Sequence, residues 1–517
     1  MGWLVAGLTV AAIVVLMLVR LPWSTTDSLI MSEGTRNQLR CLADGHFTGC
    51  RDHFAHKLVA MDWFPPAQHL PDAALQAMRL ESAGARVRGL GVVSLLSVIA
   101  AAALGAGLLR RSGLRASSYL FLLAVVAGPM VPYAHSAFGE AFSAFLLVAF
   151  VVSTQRPDRA GLIGITALLA ALTKETAPTI VFAVGVLGLD IARVRRPQPV
   201  RAAALALTAG ALGGLATNLL YNVFRFGTAR NPVYALFLEV GPSLGQAARF
   251  LAGLLVSPNA GIAWYWPVAA GLLLLAAAAP FTGARRRPPP GEPPPGTPAP
   301  PRPATGGWHR EVLGADRARW HALAVLAVFL GVNAVLAMWW MPYGWMAWGP
   351  RLTVPWVPPL LVLALLAGGE NLEALVHRAL RTPARAVAWG IAAGLSALPH
   401  LAAALDLDFV RGFLAGVRDP FRYADYYPNL DRLAFTRFPM LLSAMRTLAS
   451  PWRLALGAGL VVTCVMLADA AARAARSTAG PPPAGDLEPP AGTADADTDN
   501  DNDAAARRPI DPLLTGP

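Results

Sequence analysis

The first side chain along the sequence that is suited to chemistry at a membrane surface is that of Asp27. It lies in the polar segment 24–28, directly after the first apolar run. A carboxylate at the outer boundary of a membrane can meet the polar head of a membrane-embedded substrate, which makes Asp27 the candidate catalytic residue. The same segment can instead cap a helix predicted over residues 28–42, because acidic and hydroxyl side chains are favoured at helix starts. The sequence leaves both interpretations open.

Three further places set charge against apolar runs: His135 with Glu140, Lys174 with Glu175, and Arg351. Charge at membrane depth is costly, so each place is a candidate for substrate binding. Both pairs lie in predicted outer turns between helices. The adjacent charges of Lys174 and Glu175 can also simply solvate each other. For each pair, a purely structural role is an equal alternative.

Arg351 lies in a tryptophan-rich segment and ends the sequence Trp-Gly-Pro-Arg that begins at Trp348. An aromatic belt at a membrane interface explains the tryptophans but not the arginine. A planar guanidinium fits a phosphate through two hydrogen bonds. The Pro/Gly-broken segment 256–261 precedes Tyr265, and broken backbone at this depth is expected to line a polar cavity. Trp348 and Tyr265 are therefore candidate binding residues beside the cation.

The long segment 24–88 contains two of the three cysteines, Cys41 and Cys50. A pair at this spacing outside the cytoplasm can form a disulfide. The third, Cys464, lies within the last apolar run and is expected to be a small core residue. Histidines also gather in this segment, but they match no known metal motif, so we favour solvated side chains over a metal site. These histidines are His46, His53, His56 and His69.

The elements that must position these residues are membrane helices. Hydrophobic residues make up 55% of the chain and charged residues only 14%, which no water-exposed fold could accommodate. The apolar runs predict an all-α polytopic bundle of about 12 transmembrane helices. The first run lacks a basic start and a cleavage site, so it is expected to stay as an uncleaved span. The predicted spans are 1–19, 89–109, 116–133, 138–153, 161–174, 176–192, 202–222, 261–282, 322–341, 352–367, 386–405 and 454–471.

Arginine distribution predicts how the bundle is oriented. Alternate loops carry clusters such as Arg110 with Arg111 and Arg193 with Arg195, whereas the short loops opposite hold little beyond Lys174 and Arg351. By the positive-inside rule both termini are expected to be cytoplasmic and the candidate site extracytoplasmic. The predominance of arginine over lysine, together with abundant Ala, Gly and Pro, is typical of a bacterial source, so the expected location is a bacterial inner (plasma) membrane. The formal charge of +12 is spread over loops rather than one module, which argues against nucleic acid as a partner.

Other segments complete the domain organisation. Residues 1–476 are predicted to form one transmembrane domain, with a Pro-rich cytoplasmic linker at 285–320 and a disordered cytoplasmic tail at 477–517. Segments lying in the membrane interface are predicted at 72–88 and within 224–255.

Taken together, these motifs resemble the bacterial GT-C glycosyltransferases, multispan enzymes that take a sugar from a polyprenyl-phosphate carrier. The resemblance is to the phospholipid carrier-dependent, dolichyl-phosphate-mannose protein mannosyltransferase-like members. Asp27 matches an acidic residue shortly after the first span, and residues 133–140 approximate a Y-x-x-x-F-G-E turn. Residues 257–267 are similar to an S-P-x-x-G break, and residues 348–351 to a late W-G-P-R motif. The pattern extends over residues 1–470.

This resemblance implies a GT-C-like fold and a mechanism. The family's first-loop acid assists an acceptor hydroxyl, by deprotonation or through a divalent cation, as it displaces the lipid phosphate with inversion. That role falls to Asp27, while Arg351 and Lys174 neutralise the leaving phosphate. Some members carry paired first-loop acids, whereas here the second carboxylate would be Glu33 or Glu140, which leaves the choice between base and metal open. The implied partners are a polyprenyl-phosphate-linked sugar donor and a glycan, lipid or protein acceptor.

Two other classes of membrane protein compete with this interpretation. A transporter or flippase of a lipid-linked or anionic substrate would have a similar number of spans, but the sequence lacks the paired repeats typical of that class. A polysaccharide ligase or polymerase would use a late outer loop, here 406–453. The arginines and tyrosines of that loop can bind an anionic glycan or form a solvated face, and we favour the solvated face.

Overall fold

The chain folds as helices throughout the part that the computed structural model describes. That part comprises residues 1–20, 22, 26–54, 64–79, 82–137, 139–195, 199–232, 241–258, 261–282, 307–339, 351–406 and 447–478. Side chains at 26–29 and 307–316 lie outside this description. Contacts group Met1–Ala479 into one unit. The predicted tail and nearly all of the predicted 406–453 loop fall outside the described residues.

Seventeen α-helices occur in the described residues, with no strand among them. The prediction of an all-α membrane bundle is confirmed. In chain order they are α1 Gly2–Val19, α2 Thr26–Ala43, α3 Pro66–Ala77, α4 Ala83–Arg111, α5 Arg115–Val126, α6 Met130–Ala134, α7 Glu140–Thr154, α8 Ala160–Ala171, α9 Ala177–Arg195, α10 Arg201–Phe226, α11 Leu244–Val256, α12 Ile262–Tyr265, α13 Pro267–Ala278, α14 Gly307–Ala337, α15 Val357–Ala379, α16 Pro383–Leu405 and α17 Pro451–Thr478.

Each of the twelve predicted spans overlaps a helix of the structure, although the ends differ by several residues in places. Eight helices in the described part are long and apolar enough to cross a membrane, namely α1, α4, α9, α10, α14, α15, α16 and α17. The other four predicted spans overlap the shorter apolar helices α5, α7, α8 and α13, and that these cross the membrane stays a prediction. The segment 224–255, where an interfacial helix was predicted, contains most of α11, which Ser243 and Gln246 cap reciprocally. Its location in the membrane interface stays a prediction.

Two predicted segments have different boundaries in the structure. The segment 72–88 was expected to be one interfacial stretch, but α3 ends at Ala77 and α4 begins at Ala83. The reason is a local cap, because the Ser82 side chain accepts a hydrogen bond from the Ala85 backbone N–H and starts a new helix. Likewise α14 already begins at Gly307, so the end of the predicted 285–320 linker is helical.

The core of the bundle is centred on α15. In its most apolar stretch 72% of the residues are buried, against 22% in α1, so α15 is surrounded by protein and α1 lies at the periphery. Helices α16 and α17 pack closely through small residues. A side chain at Gly390 would meet the backbone of Val465, and one at Gly394 would meet that of Val461. Such small-residue contacts are a common basis of helix association in membranes.

A break in α15 connects its end to a helix much earlier in the chain. Gly369 has φ +50° and interrupts the helical backbone, a conformation that glycine adopts at little cost. Beyond it, the Glu373 carboxylate accepts hydrogen bonds from the Ala116 N–H at 3.2 Å, the Ser117 N–H at 2.8 Å and the Ser117 hydroxyl at 2.7 Å. Since no side chain of its own caps α5, Glu373 satisfies the first N–H groups of that helix.

Hydrogen bonds also group the loops at two ends of the bundle. The Arg195 side chain at the end of α9 donates to the Ser112 carbonyl after α4, so these two arginine-rich loops are neighbours. Elsewhere α3 packs against two helix turns. The Ala67 N–H donates to the Leu172 carbonyl at 3.1 Å, and a side chain at Gly139 would meet Gln68. The first long loop therefore lies beside the turns at 135–140 and 172–176.

Candidate active site

Glu140 and Arg351 form a buried ion pair between residues that are 211 positions apart. Glu140 is the first residue of α7, and Arg351 lies in the turn that leads into α15. The Arg351 Nε–H donates to Glu140 Oε1 at 2.6 Å, and both side chains are at most 6% exposed. The position of Glu140 at a helix N-terminus also favours its negative charge. This pair brings two of the motifs found in the sequence into direct contact.

Three more polar side chains surround this pair. Tyr133 and Tyr265 are fully buried, and Tyr133 interacts electrostatically with Glu140, Arg351 and Tyr265. Lys174 also acts on Glu140 as a nearby positive charge. Two cations, one carboxylate and two tyrosines thus lie near one another, at the ends of helices α6, α7, α8, α12 and α15. Residues 257–267 contribute through Tyr265, so the second break lies at this site too.

The broken entry to α13 is fastened to the rest of the bundle near this cluster. The Trp266 indole N–H donates to the Ala124 carbonyl at 2.6 Å, and a side chain at Gly128 would meet that indole. Gly261 closes the preceding turn by donating to the Ser257 carbonyl at 2.8 Å. Nonhelical backbone here is buried in protein rather than facing lipid, as the physics of membranes requires.

Glu175 does not pair with its neighbour Lys174 as one of the sequence alternatives supposed. Its Oε1 accepts hydrogen bonds from Arg225 Nη2 at 3.2 Å and from the Asn231 side chain at 2.8 Å. Burial raises the pKa of the Glu175 carboxyl, while Asn231 and Arg225 act in the opposite direction. The two adjacent charges therefore have different partners, because Lys174 acts on Glu140.

His135 connects two helix ends. It is 3% exposed, its Nδ1 lies 3.1 Å from the Ala404 carbonyl of α16, and its Nε2 lies 3.5 Å from the Arg20 carbonyl after α1. Burial lowers the pKa of His135, so the neutral ring is favoured. These contacts tie the ends of α1 and α16 together. The predicted role of His135 in substrate binding stays a prediction.

Asp27 is the second residue of α2, so the predicted helix begins two residues earlier than expected. Its side chain lies outside the described residues, and so does all of Trp348. Both of their assigned roles stay predictions. The backbone places Asp27 in the first turn of α2, where the helix dipole favours a negative charge.

A buried polar network holds α2 against its neighbours. Asp72 of α3 is fully buried, and its Oδ2 accepts a hydrogen bond from the Gln76 side chain at 2.7 Å. Burial raises the pKa of the Asp72 carboxyl above its ordinary value. Arg86 of α4 donates to the Ser32 hydroxyl of α2 at 3.1 Å. The Gln76 side chain of α3 also donates to the Ser32 carbonyl at 3.3 Å, so the helix that carries Asp27 is fixed to both α3 and α4.

A cavity of about 360 Å³ lies among α2, α3 and α10. On its polar side, the Thr35 hydroxyl lies 2.8 Å from His69 Nδ1, and the Tyr221 hydroxyl donates to Gln38 Oε1 at 2.7 Å. These bonds attach the first loop to a membrane helix. The remaining surface is mostly apolar and includes Leu39, Leu42, Ala73, Leu220 and Phe224.

Cys41 and Cys50 are joined by a disulfide, and Cys464 is a buried free thiol. The disulfide closes the end of α2 onto a 3-10 turn at Cys50–His53, in which His53 stacks on His46 at 3.7 Å between ring centroids. Within the described part of the chain, no group of three or more His, Cys, Asp or Glu could hold a metal ion. The divalent cation considered for Asp27 involves a side chain outside that part and stays a prediction.

Two residues at this site were not among the sequence candidates, Tyr133 and Arg225. Tyr133 begins the Y-x-x-x-F-G-E-like turn, yet its spacing to Glu140 gave no reason to expect it beside Arg351. Arg225 lies in the last turn of a long apolar helix and is 2% exposed. The rule that identified Arg351, that charge at membrane depth is costly, applies equally to Arg225 and would have identified it.

Comparison with solved structures found similarity to two crystal structures of one protein. The chain matches no family model and no curated protein. The crystal structure of ArnT from Cupriavidus metallidurans in the apo state is similar over 91% of this chain and 77% of that one, with 17% identity and a TM-score of 0.44. The same protein bound to undecaprenyl phosphate matches with the same coverage, 16% identity and a TM-score of 0.42.

Proposed function

We propose that the chain is a membrane glycosyltransferase that transfers a sugar from a polyprenyl-phosphate-linked donor to an extracytoplasmic acceptor with inversion. The observation that carries the proposal is the convergence of Glu140, Arg351, Lys174, Tyr133 and Tyr265 on one buried site. Three separate motifs, each weak alone, supply four of these residues from distant parts of the chain, and Lys174 comes from the turn between α8 and α9. A bundle held together by packing alone has no need to gather two cations and a carboxylate at such a place.

The electrostatics of the cluster suit an anionic donor. Among the described side chains of the cluster, Lys174 and Arg351 are cations and Glu140 is a carboxylate, so these three groups have a net formal charge of +1 with Glu140 ionised. Glu140 holds the guanidinium through Nε, which fixes its orientation before any substrate binds. Positive charge positioned in advance beside a lipid phosphate stabilises the charge that develops as the phosphate leaves.

Glu140 also has capacity for a substrate group. Its Oε2 is buried and has no hydrogen-bond partner in the described part of the chain. A buried carboxylate oxygen without a partner is costly, and a sugar hydroxyl would supply one. Glu140 is therefore assigned a role in orienting the sugar as well as the arginine.

The proposed reaction is a single displacement at the anomeric carbon. Asp27 accepts the proton of the acceptor hydroxyl as that oxygen forms its bond to the anomeric carbon. The bond from this carbon to the phosphate oxygen breaks, and the polyprenyl phosphate departs with the electron pair. Arg351 and Lys174 stabilise the departing phosphate. One displacement from the face opposite the leaving group inverts the anomeric configuration.

The test is Asp27→Asn, with Asp44→Asn as a matched control in the same loop. Membranes that contain each variant are incubated with radiolabelled polyprenyl-phosphate sugars and endogenous acceptors. Removing the proposed base should lower transfer by about 10²–10⁴-fold, whereas the exposed Asp44 should be dispensable. Expression and thermal unfolding of the two variants should match those of the wild type.

Retained transfer by Asp27→Asn would remove Asp27 from the mechanism. If the wild-type protein transfers no sugar but moves a lipid-linked substrate across proteoliposomes, the chain is a transporter. Lengthening of a lipid-linked polymer instead of single-sugar transfer would identify a polymerase or ligase. Each class gives a different result, so the transfer assay in membranes and the transport assay in proteoliposomes together distinguish the three.

A further inference from the structure

Lys174 and Glu175 are neighbours in sequence, but their side chains interact with different groups. Lys174 acts on Glu140, whereas the Glu175 carboxylate is bound by Arg225 and Asn231. A lysine next to a glutamate in a short turn would ordinarily lose much of its positive potential to that neighbour. The fold must therefore contain a group that keeps the Glu175 carboxylate apart from the Lys174 ammonium.

Hydrogen bonds from both terminal nitrogens of Arg225, together with a stacked aromatic ring, hold its guanidinium in position. Nη1 donates to the Phe64 carbonyl at 2.9 Å, and Nη2 donates to Asn222 Oδ1 at 2.6 Å as well as to Glu175. The guanidinium also lies over the Tyr221 ring at 4.1 Å from its centroid. Arginine is suited to such a site because its planar fork combines hydrogen bonding with stacking on an aromatic face.

We propose that Arg225 is a positioning residue that holds the Glu175 carboxylate away from Lys174, so that Lys174 contributes its charge to the phosphate site beside Glu140 and Arg351. This inference rests on the proposed function, because it assigns Arg225 a part in binding the same lipid phosphate. Arg225 acts through Glu175, whose nearest alternative cation along the chain is the adjacent lysine.

Removing Arg225 would leave a buried carboxylate without its cation. A buried charge that has lost its partner is strongly unfavourable, so Glu175 would turn toward Lys174. The phosphate site would then lose one of its two cations while its residues remained intact. Replacing Glu175 by glutamine in the same chain removes the competing charge and should return Lys174 to the site.

The test measures binding of undecaprenyl phosphate in detergent micelles to the purified full chain. Arg225→Met should bind about ten- to a hundredfold more weakly than the wild type, the cost of one charge-assisted contact. The double variant Arg225→Met/Glu175→Gln should bind within a few fold of the wild type. Arg230→Met, an exposed arginine near the same helix end, is the matched control and should bind as the wild type does.

The pH dependence separates this role from simple stabilisation. Burial raises the pKa of Glu175, and loss of Arg225 raises it further. In Arg225→Met, binding relative to the double variant should therefore recover as the pH falls and Glu175 becomes neutral. The charged and polar groups around Glu175 are Arg225 and Asn222 of α10, Asn231 and the adjacent Lys174. Protonation of the lipid phosphate affects both variants equally, so the ratio of their binding constants reports only the protonation of Glu175.

Asn231→Ala provides a second route if Arg225→Met does not fold. It removes a hydrogen bond to Glu175 but leaves both charges, so binding should weaken by a smaller factor and Glu175→Gln should restore it. Unchanged binding in Arg225→Met, or weak binding that Glu175→Gln does not restore, would overturn the inference. A wild-type chain that binds no undecaprenyl phosphate would overturn the proposed function instead.

Discussion

The ion pair between Glu140 and Arg351 is the most consequential contact at the scale of single residues. Both side chains are buried, and their hydrogen bond is short. Pairs of this kind add little net stability when compared with apolar residues, but each partner depends strongly on the other. Such a pair is therefore better explained by what it binds or orients than by the stability it provides.

We predict that Arg351→Met will destabilise the protein by about 3–5 kcal/mol, because it leaves Glu140 buried without a cation. The double variant Arg351→Met/Glu140→Leu should recover a large part of this loss, since no charge then remains unpaired. Thermal unfolding in detergent measures both effects. Equal destabilisation by the single and double variants would show that the two side chains are not energetically coupled.

Sequence reasoning at this scale identified charged residues but not their partners. Glu140, Lys174 and Arg351 were found from charge set against apolar runs, and they do lie together. The pairing of Glu175 with Arg225 was missed because sequence proximity favoured Lys174, whereas the true partner lies 50 positions away. Pairing depends on where helix ends meet, and the order of residues along the chain does not specify this.

At the scale of elements, the contact of α16 with α17 depends on glycine. The α-carbon of Gly394 faces the backbone of Val461, and an added Cβ would lie 2.7 Å from the Val461 α-carbon. Gly390 faces Val465 in the same way one turn earlier. Since the opposing atoms are backbone, neither helix can yield without moving as a whole.

We therefore predict that Gly390→Ala or Gly394→Ala will destabilise the bundle by roughly 1–3 kcal/mol, as overpacked interfaces do. Gly331→Ala in α14 is the control, because nothing lies within 4 Å of its added Cβ. That variant should gain about 0.5–1 kcal/mol from lower backbone entropy in the unfolded state. Thermal unfolding of the three variants gives the comparison, and equal effects at all three positions would contradict the packing argument.

Element existence was predictable because each span is a continuous apolar run. The boundaries of helices were less predictable where a single polar side chain determines them. Ser82 starts α4 and divides a stretch that had been interpreted as one interfacial segment. Nothing in the composition distinguishes a serine that caps a helix from one that continues an amphipathic face, since both are polar and both are followed by helix formers.

At the scale of the whole molecule, the chain separates charge between two ends of the bundle. Arg195 meets the loop after α4, whereas the candidate site lies beside the first long loop. By the positive-inside rule we expect the arginine-rich end to face the cytoplasm and the candidate site to lie outside it.

We predict that a reporter active only outside the cytoplasm will be active when inserted after Gly45 and inactive when fused after Thr478. The exposed loop at Gly45 tolerates an insertion because it lies at the surface near the disulfide. A cytoplasmic reporter should give the opposite pattern. If the external reporter were active at both positions, the C-terminus would lie outside the cytoplasm. It would then be on the opposite side from the N-terminus, which one span separates from Gly45.

The cap that Glu373 provides to α5 has a consequence for how the protein is made. Ribosomes deliver α5 to the membrane well before α15 has been translated, so the first N–H groups of α5 must wait for a carboxylate that does not yet exist. Until then the first N–H groups of this short helix can donate hydrogen bonds only to water or to lipid headgroups. Chains that stop before residue 373 should therefore be recognised as unfinished by membrane quality control, even though every earlier span has been inserted.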